Sequence, residues 1–262
     1  IGDAADKLIH KEVRKGLLEI IADALPGISG EIEVWQATTE RESYYTAIEK
    51  IKNAIASGLT YQVNYTMRLN TDFTEDEWDF FLQLAQNQNK YAAYINTSRY
   101  TICSASPELF FKLNGTKIYS HPMKGTVKRG RTTREDRAQM EWLHHSVKNR
   151  AENVMIVDMI RNDLGRIAEI GSVSVPELFK VEKYPTLFQM TSTVQAKTSA
   201  SLTEIFSALF PSASITGAPK VSTMKIISDL ETTPRKIYTG SIGYISPNRK
   251  AQFNVAIRTA LI

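Results

Sequence analysis

Asn114-Gly115 lies between two runs of alternating apolar residues, Leu109-Phe-Phe-Lys-Leu113 and Thr116-Lys-Ile-Tyr-Ser120. A tight two-residue β-turn needs backbone with φ > 0, and this dipeptide tolerates it, so the segment predicts an antiparallel hairpin over 109–120. The following His121-Pro-Met-Lys-Gly-Thr126 predicts a loop, with Pro122 ending the strand and Gly125 allowing close approach of the backbone. Such a loop holds the Lys124 amine at the mouth of a sheet, as a solvated cation or as a nucleophile.

The flanking segments extend the pattern. Amphipathic helices are expected over 3–24, 41–57, 75–88, 133–143, 146–164 and 202–209. Another runs to about 231 from Pro219, a favoured first helical residue. Tyr44, Ile48, Ile51 and Ile55 share one face of the second helix, and Gly58 stops it. Thr74-Glu-Asp-Glu77 reads as a capping box. Leu59 to Leu69 alternates throughout and predicts one long strand, with Leu59, Tyr61 and Val63 on its apolar face and Thr60, Gln62 and Asn64 on its polar face. Further strands are expected near 31–36, 91–96, 100–105 and between 172 and 196, with a last hairpin pairing 237–246 with 250–261. Hairpins mixed with helices indicate an α+β fold with a large, mainly antiparallel sheet system. No repeat, low-complexity tract or long linker is visible, and 262 residues can bury a full core as one large domain or two small ones.

Composition narrows the function classes. A net charge of +4, with Lys and Arg spread among Asp and Glu, is weak support for nucleic-acid binding and suits an anionic small molecule equally well. Cys103 is the only cysteine, so no intrachain disulfide can form, which suits a reducing cytoplasm. No apolar run approaches the ~20 residues that span a bilayer. The first residues lack the pattern of a signal peptide.

Several residues could carry chemistry. Asn149 and Glu152 are i,i+3 neighbours on one helix face with Ile156 and Asp163. They form either a solvated acidic stripe or an oxygen-rich cation site. Asp158, on another face, reads as a structural salt-bridge acid. Ser214-Ile-Thr-Gly-Ala-Pro-Lys220 runs into a helix N-terminus and could cap it or bind an anion; it lacks P-loop spacing. Arg258, on the strand face of Gln252, Asn254 and Ala256, could clamp a carboxylate or make a sheet-edge ion pair. Glu108, where the first hairpin begins, could donate a proton if burial raised its pKa. The four histidines show no zinc spacing, and no Ser-His-Asp pattern is visible.

Taken together, Gly58-Leu-Thr-Tyr-Gln-Val-Asn-Tyr-Thr66, Ser106-Pro-Glu108, Pro122-Met-Lys-Gly-Thr126, Arg150-Ala-Glu-Asn-Val-Met-Ile-Val-Asp158 with Arg161-Asn-Asp-Leu-Gly165, Ser214 to Lys220, Tyr238-Thr-Gly-Ser-Ile-Gly-Tyr244 and Ala256-Ile-Arg-Thr259 resemble the chorismate-utilising enzyme family. The resemblance covers residue 41 to the end and implies a β-sandwich core flanked by helices in a single chorismate-binding domain over 1–262. Members that add water to chorismate have a lysine at the position of Gln62, whereas ammonia-adding members have glutamine. Among the latter, Lys124 resembles the aminodeoxychorismate type, and the anthranilate type has a small residue there.

The resemblance implies Glu108 as the acid for the departing C4 hydroxyl and Lys124 as the covalent nucleophile. It implies substrate contacts from Gln62, Thr126, Ser214, Thr216, Gly217, Tyr238 and Arg258, and Mg²⁺ held by Glu152 and Asn149. Asn149 departs from the usual acid at its position. Ammonia would come from a glutamine amidotransferase subunit. The resemblance also implies truncation at both ends. A Gly-rich strand and a helix with further metal-binding acids would follow Ile262, so the alternatives are an anthranilate-type enzyme and a catalytically incomplete chorismate-binding fragment.

Overall fold

The computed structural model describes residues 36–86 and 90–262. The helix expected over 3–24 and most of the strand expected over 31–36 lie outside the described residues.

In chain order the elements are β1 (Gln36–Ala37), α1 (Arg41–Ala56), β2 (Gln62–Val63), β3 (Leu69–Asn70), α2 (Glu77–Ala85), β4 (Tyr91–Asn96), β5 (Thr101–Ser106), β6 (Leu109–Asn114), β7 (Lys117–His121) and β8 (Met123–Lys128). There follow α3 (Thr133–His145), α4 (Val147–Gly165), β9 (Ser174–Lys183), β10 (Leu187–Lys197), α5 (Leu202–Leu209), a 3₁₀ turn (Ala213–Ile215), β11 (Gly217–Ala218), α6 (Lys220–Leu230), β12 (Gly243–Ser246), β13 (Lys250–Asn254) and β14 (Thr259–Leu261). All pairings described are antiparallel. The large sheet runs β12-β13-β6-β7-β10-β8, with β9 on the other edge of β10. A second sheet runs β14-β5-β4. The α+β class and the mainly antiparallel sheet system are as expected.

The main core lies where α4 and α5 cover the large sheet. Ile156, Val157, Ile160 and Leu164 of α4 meet Phe111, Leu113, Ile118 and Val194 from the strands and Ile205 and Leu209 of α5. Burying each such side chain contributes ~1.5–3 kcal/mol. Asp163, on the same helix, pairs with Lys220 Nζ at 2.5 Å, and that amine also donates to Leu209 O at 3.0 Å. The pair ties α4 to the start of α6. Asp158 is an exposed salt-bridge acid with Arg161, at 3.1 Å.

Five expectations change. First, the hairpin turn is one residue later: Asn114 still pairs with Lys117, and the turn residues are Gly115 and Thr116. Gly115 has φ +60°, as a type II′ turn requires at its first central position. Second, the long strand over 59–69 does not form. Leu59 and Tyr61 are 60% and 71% exposed, while Thr60 is buried, its hydroxyl 2.7 Å from Thr223 Oγ1 and 2.8 Å from Ala218 O. Alternation proposes a strand, but only a partner completes one, and this segment finds two residues of β11. Third, Asp76, not Thr74, caps α2, accepting from Trp78 N and Asp79 N. Glu77 instead accepts from Thr101 Oγ1 at 2.6 Å. Fourth, Pro219 is the residue before α6 rather than its first. Fifth, the last hairpin ends at Asn254, and β14 crosses to pair with β5. Arg258 therefore lies between strands, at φ +50°, not on a face shared with Gln252 and Asn254.

Candidate active site

Lys124 is on a strand, not in a loop. Pro122 bends the chain without ending the pairing. β10 pairs along one edge first with β8, then with β7, and Ser192 N donates to Pro122 O at 3.1 Å across the bend. Met123 faces Thr191 and Thr126 faces Gln189, so Lys124 and Gly125 together oppose Met190. Two residues opposite one make a β-bulge, which bends a strand and re-aims a side chain. Gly125 has φ +93°, and a Cβ there would lie 2.9 Å from the Asn149 side chain. Beyond the bulge, Gln189 clamps the strand: its Nε2 donates to Gly125 O at 2.9 Å and its Oε1 accepts from Thr126 Oγ1 at 2.8 Å.

Glu108 sits at the turn from β5 to β6 and is only 5% exposed. Its backbone is held by Val255 N, which donates to Glu108 O at 3.1 Å, and by Ser106 Oγ, which accepts from Glu108 N at 3.3 Å. Burial pushes the carboxyl up to about 7, against the opposing effects of a hydrogen bond with Ser214 and the nearby Lys124 charge. The three groups thus share one environment although the chain separates them widely. Glu108 comes from a strand turn, Lys124 from a bulge and Ser214 from the 3₁₀ turn. Ser214 is fixed on its other sides by Ser212 Oγ at 3.0 Å and by Asn64 Nδ2, which donates to Ser214 O at 3.1 Å.

Ser214 and Tyr238 also line a cavity of about 360 Å³ with Ile48, Ile51, Val63 and Thr66. Burial raises the Tyr238 phenol. Thr216 is buried, its hydroxyl donating to Ser212 O at 3.0 Å, and its carbonyl accepts from Asn64 N at 2.8 Å. Gly217 pairs with Val63. At φ +143°, a Cβ on Gly217 would meet Gln62 O at 2.0 Å, so only glycine fits. Gly217→Ala is expected to destabilise the chain by about 3 kcal/mol or more, measured by denaturant unfolding. An unchanged midpoint would show that the β2–β11 contact is not needed for folding. Gln62, paired with Ala218, keeps its Oε1 buried with no protein donor.

Residues 22–262 match the family described as chorismate binding enzyme. The chain belongs to that family. It is 42% identical over 228 residues to aminodeoxychorismate synthase component 1 of Escherichia coli K12, covering 86% of this chain and 50% of that protein. The Bacillus subtilis protein of the same name is 42% identical over 221 residues, 83% of this chain and 47% of that one. The chain thus spans about half the length of these relatives. Among solved structures, anthranilate synthase component I from Streptococcus pneumoniae TIGR4 superposes with TM-score 0.80 at 26% identity, covering 97% of this chain and 58% of that one. The menaquinone-specific isochorismate synthase MenF of Escherichia coli shares the fold, with TM-score 0.77 at 21% identity over 91% of this chain and 56% of its own.

Against the chorismate-binding family, the structure links Glu108, Lys124 and Ser214, and joins Ser214 to Tyr238 through one cavity. The Arg258 carbonyl accepts from Ala105 N at 3.0 Å, in the strand that leads to Glu108, and its guanidinium is within electrostatic reach of Tyr184. Among the described residues, no three His, Cys, Asp or Glu side chains group to hold a metal. Asn149 and Glu152 on α4 are nonetheless oxygen donors of the kind Mg²⁺ takes. The Asn149 amide nitrogen is committed to Ser146 Oγ at 2.9 Å, which leaves the amide oxygen as its possible ligand atom. No helix among the described residues is long and apolar enough to cross a membrane.

Gln189, Ser212 and Asn64 support the candidate residues; Asn64 stood within a motif and on a polar face, but the supporting contacts of all three were not legible in the sequence. Each acts through a contact made distant in the chain or by backbone geometry, and none stands in a spacing that signals its role.

Proposed function

We propose that this chain forms the chorismate-binding, catalytic part of an aminodeoxychorismate synthase component I. It would replace the C4 hydroxyl of chorismate with ammonia to give 4-amino-4-deoxychorismate, the precursor of 4-aminobenzoate for folate synthesis. The observation that carries this reading is Glu108: a buried carboxyl titrating at about 7, beside Lys124 and hydrogen-bonded to Ser214. Hydroxide is a poor leaving group. Protonated Glu108 delivers a proton to the C4 oxygen, which departs as water while the free amine of Lys124 bonds to C2 and the ring double bonds shift. Ammonia then bonds to C4, the double bonds shift back, and the C2–Nζ bond breaks to release Lys124. Glu108 is reprotonated by the surplus proton.

Thr126, Ser214, Thr216, Gly217, Tyr238 and Arg258 serve as substrate contacts in this reading. The buried, unpartnered Oε1 of Gln62 supports an ammonia contact, because it can accept an N–H and cannot act as a base toward water at neutral pH. Glu152 and Asn149 would hold Mg²⁺, which when bound supplies positive charge to a substrate carboxylate. Ammonia would be supplied by a glutamine amidotransferase, as the name component 1 of the relatives suggests. A cytoplasmic location fits this reading.

The direct test is mass spectrometry of the products formed from chorismate, Mg²⁺ and an ammonium salt. Aminodeoxychorismate supports the proposal, anthranilate supports the anthranilate-type alternative, and no turnover with retained chorismate binding supports a binding fragment. Gln62→Lys is expected to bring some isochorismate into the product mixture, since an amine replaces an amide that cannot deprotonate water. Its complete absence in a folded variant would remove Gln62 from the nucleophile's side of the site.

A further inference from the structure

A buried ion pair, Glu231 with Arg235, frames the cavity that Ser214 and Tyr238 line and takes no part in the mechanism above. Glu231 follows the last turn of α6, where a lone carboxylate would meet the negative end of the helix dipole. Arg235 answers it with two parallel bonds: Nε donates to Oε2 at 2.8 Å and Nη2 to Oε1 at 2.6 Å. The Arg235 and Glu231 side chains are only 15% and 7% exposed. The pair also reaches outward. Arg235 Nη1 donates to Ile215 O at 2.9 Å and Nη2 to Asn64 O at 2.7 Å. Glu231 Oε1 accepts from Thr66 N and from Thr66 Oγ1, both at 2.9 Å.

These outward bonds end on the walls of the cavity, since Asn64, Thr66, Ile215, Ser214 and Tyr238 all line it. Asn64, whose carbonyl Arg235 holds, itself grips the Ser214 turn. Its Nδ2 donates to Ser214 O at 3.1 Å and its backbone N to Thr216 O at 2.8 Å. The carbonyls of Ser214, Ile215 and Thr216 are thus held in succession by Asn64 Nδ2, Arg235 Nη1 and Asn64 N. The Arg235 carbonyl, in turn, accepts from Tyr238 N at 3.1 Å. Lys236 and Thr239, on either side of Tyr238, sit at φ +52° and φ +63°, which non-glycine residues keep only where the surrounding structure holds them. One residue therefore fixes the Ser214 turn through its side chain and the Tyr238 turn through its backbone. A buried ion pair adds little net stability once its desolvation is counted, so where its bonds end says more about this pair than its charge does.

We propose that Arg235, locked by Glu231, is a positioning residue that holds Ser214 and Tyr238 at a fixed separation for contact with chorismate. This rests on the reading of Ser214 and Tyr238 as substrate contacts. Arginine suits the task because its planar fork points donors in several fixed directions. A lysine ammonium can satisfy Glu231, but it does not also span to the carbonyls of Ile215 and Asn64. Preorganised contacts lower the ordering cost of binding, so the effect falls on chorismate affinity and acts through Ser214 and Tyr238.

The test is the chorismate affinity of this chain by isothermal titration calorimetry, with thermal melts alongside, in two backgrounds: the wild type and the double substitution Ser214→Ala with Tyr238→Phe. The double substitution is expected to weaken binding ~30-fold and Arg235→Lys alone ~10-fold. In the doubly substituted background, Arg235→Lys should change affinity by less than ~2-fold. Glu231→Gln, which keeps an acceptor but frees the guanidinium from its charged partner, repeats the cycle from the other side of the pair, so a folding defect in one variant does not decide the result. Equal losses from Arg235→Lys in both backgrounds, or affinity unchanged by it whatever the melting temperature, would overturn the positioning role while leaving Ser214 and Tyr238 as substrate contacts. Loss of a cooperative melt in both Arg235→Lys and Glu231→Gln would overturn it too, by showing that the pair serves the fold. Wild-type affinity in the doubly substituted background, or no binding of chorismate by the wild-type chain, would overturn the substrate reading and the positioning role together.

Discussion

Lys124→Ala is expected to reduce formation of aminodeoxychorismate by about a thousandfold or more and to remove any covalent adduct between chorismate and the protein. In the proposed mechanism the Lys124 amine, set by the bulge at Lys124-Gly125 within electrostatic reach of Glu108, attacks C2, and alanine leaves that step with no nucleophile. The bulge itself depends on Gly125 and the Gln189 clamp, so the variant should keep its thermal stability within about 1 kcal/mol. Intact-protein mass spectrometry of quenched reactions would show the adduct in the wild type and not in the variant. Product formation at the unaltered rate would end the covalent mechanism. A shift of residual product toward anthranilate would indicate direct attack of ammonia at C2.

Glu108→Gln should cost about 10²–10⁴ in turnover, the range for a lost general acid. The amide preserves shape and a hydrogen bond to Ser214 but cannot deliver a proton to the leaving oxygen. The pH profile carries the same information. With the carboxyl titrating at about 7, the acid is present below that pH and activity should fall as pH rises through it. The variant should lose this limb. Stability has its own sign. Burial raises the folded pKa above its ordinary value, so the folded state holds more protons than the unfolded state between about 4.5 and 7, and stability falls as pH rises across that window. Above pH 7 the wild type must bury a carboxylate and the variant need not. Glu108→Gln should therefore be at least as stable as the wild type at pH 8 while being far less active. A variant that is both inactive and unstable at pH 8 would point to a structural glutamate.

These expectations draw on different levels of the chain. The hairpin over 109–120, α5 at 202–209 and the pair of helices 133–145 and 147–165 were legible because apolar periodicity, turn dipeptides and caps are local properties. The candidate residues Lys124, Glu108 and Ser214 were legible as residue types within motifs. The strand over 59–69 was misread for a physical reason: its perfect alternation is also local, but a strand exists only where backbone groups find a partner. Thr60 found two buried oxygens, and Leu59 was left in solvent. Arg258 was misplaced for the same reason, since β13 gives up its partner at Asn254 and the chain crosses to β5.

Period, turn chemistry and motif order were enough for helices α1 to α6, the hairpin over 109–120, the α+β class and the family. That Lys124 stands in a bulge rather than a loop comes from strand pairing, since a bulge is a count of residues on two strands and Met190 lies far along the chain. The rise of the Glu108 carboxyl to about 7 is likewise a tertiary effect, because it comes from burial by segments remote in sequence. Tertiary packing also brought Arg235 to Asn64, 171 residues away along the chain. Desolvation and long-range pairing are properties of the packed chain and leave no periodic trace in the order of its residues.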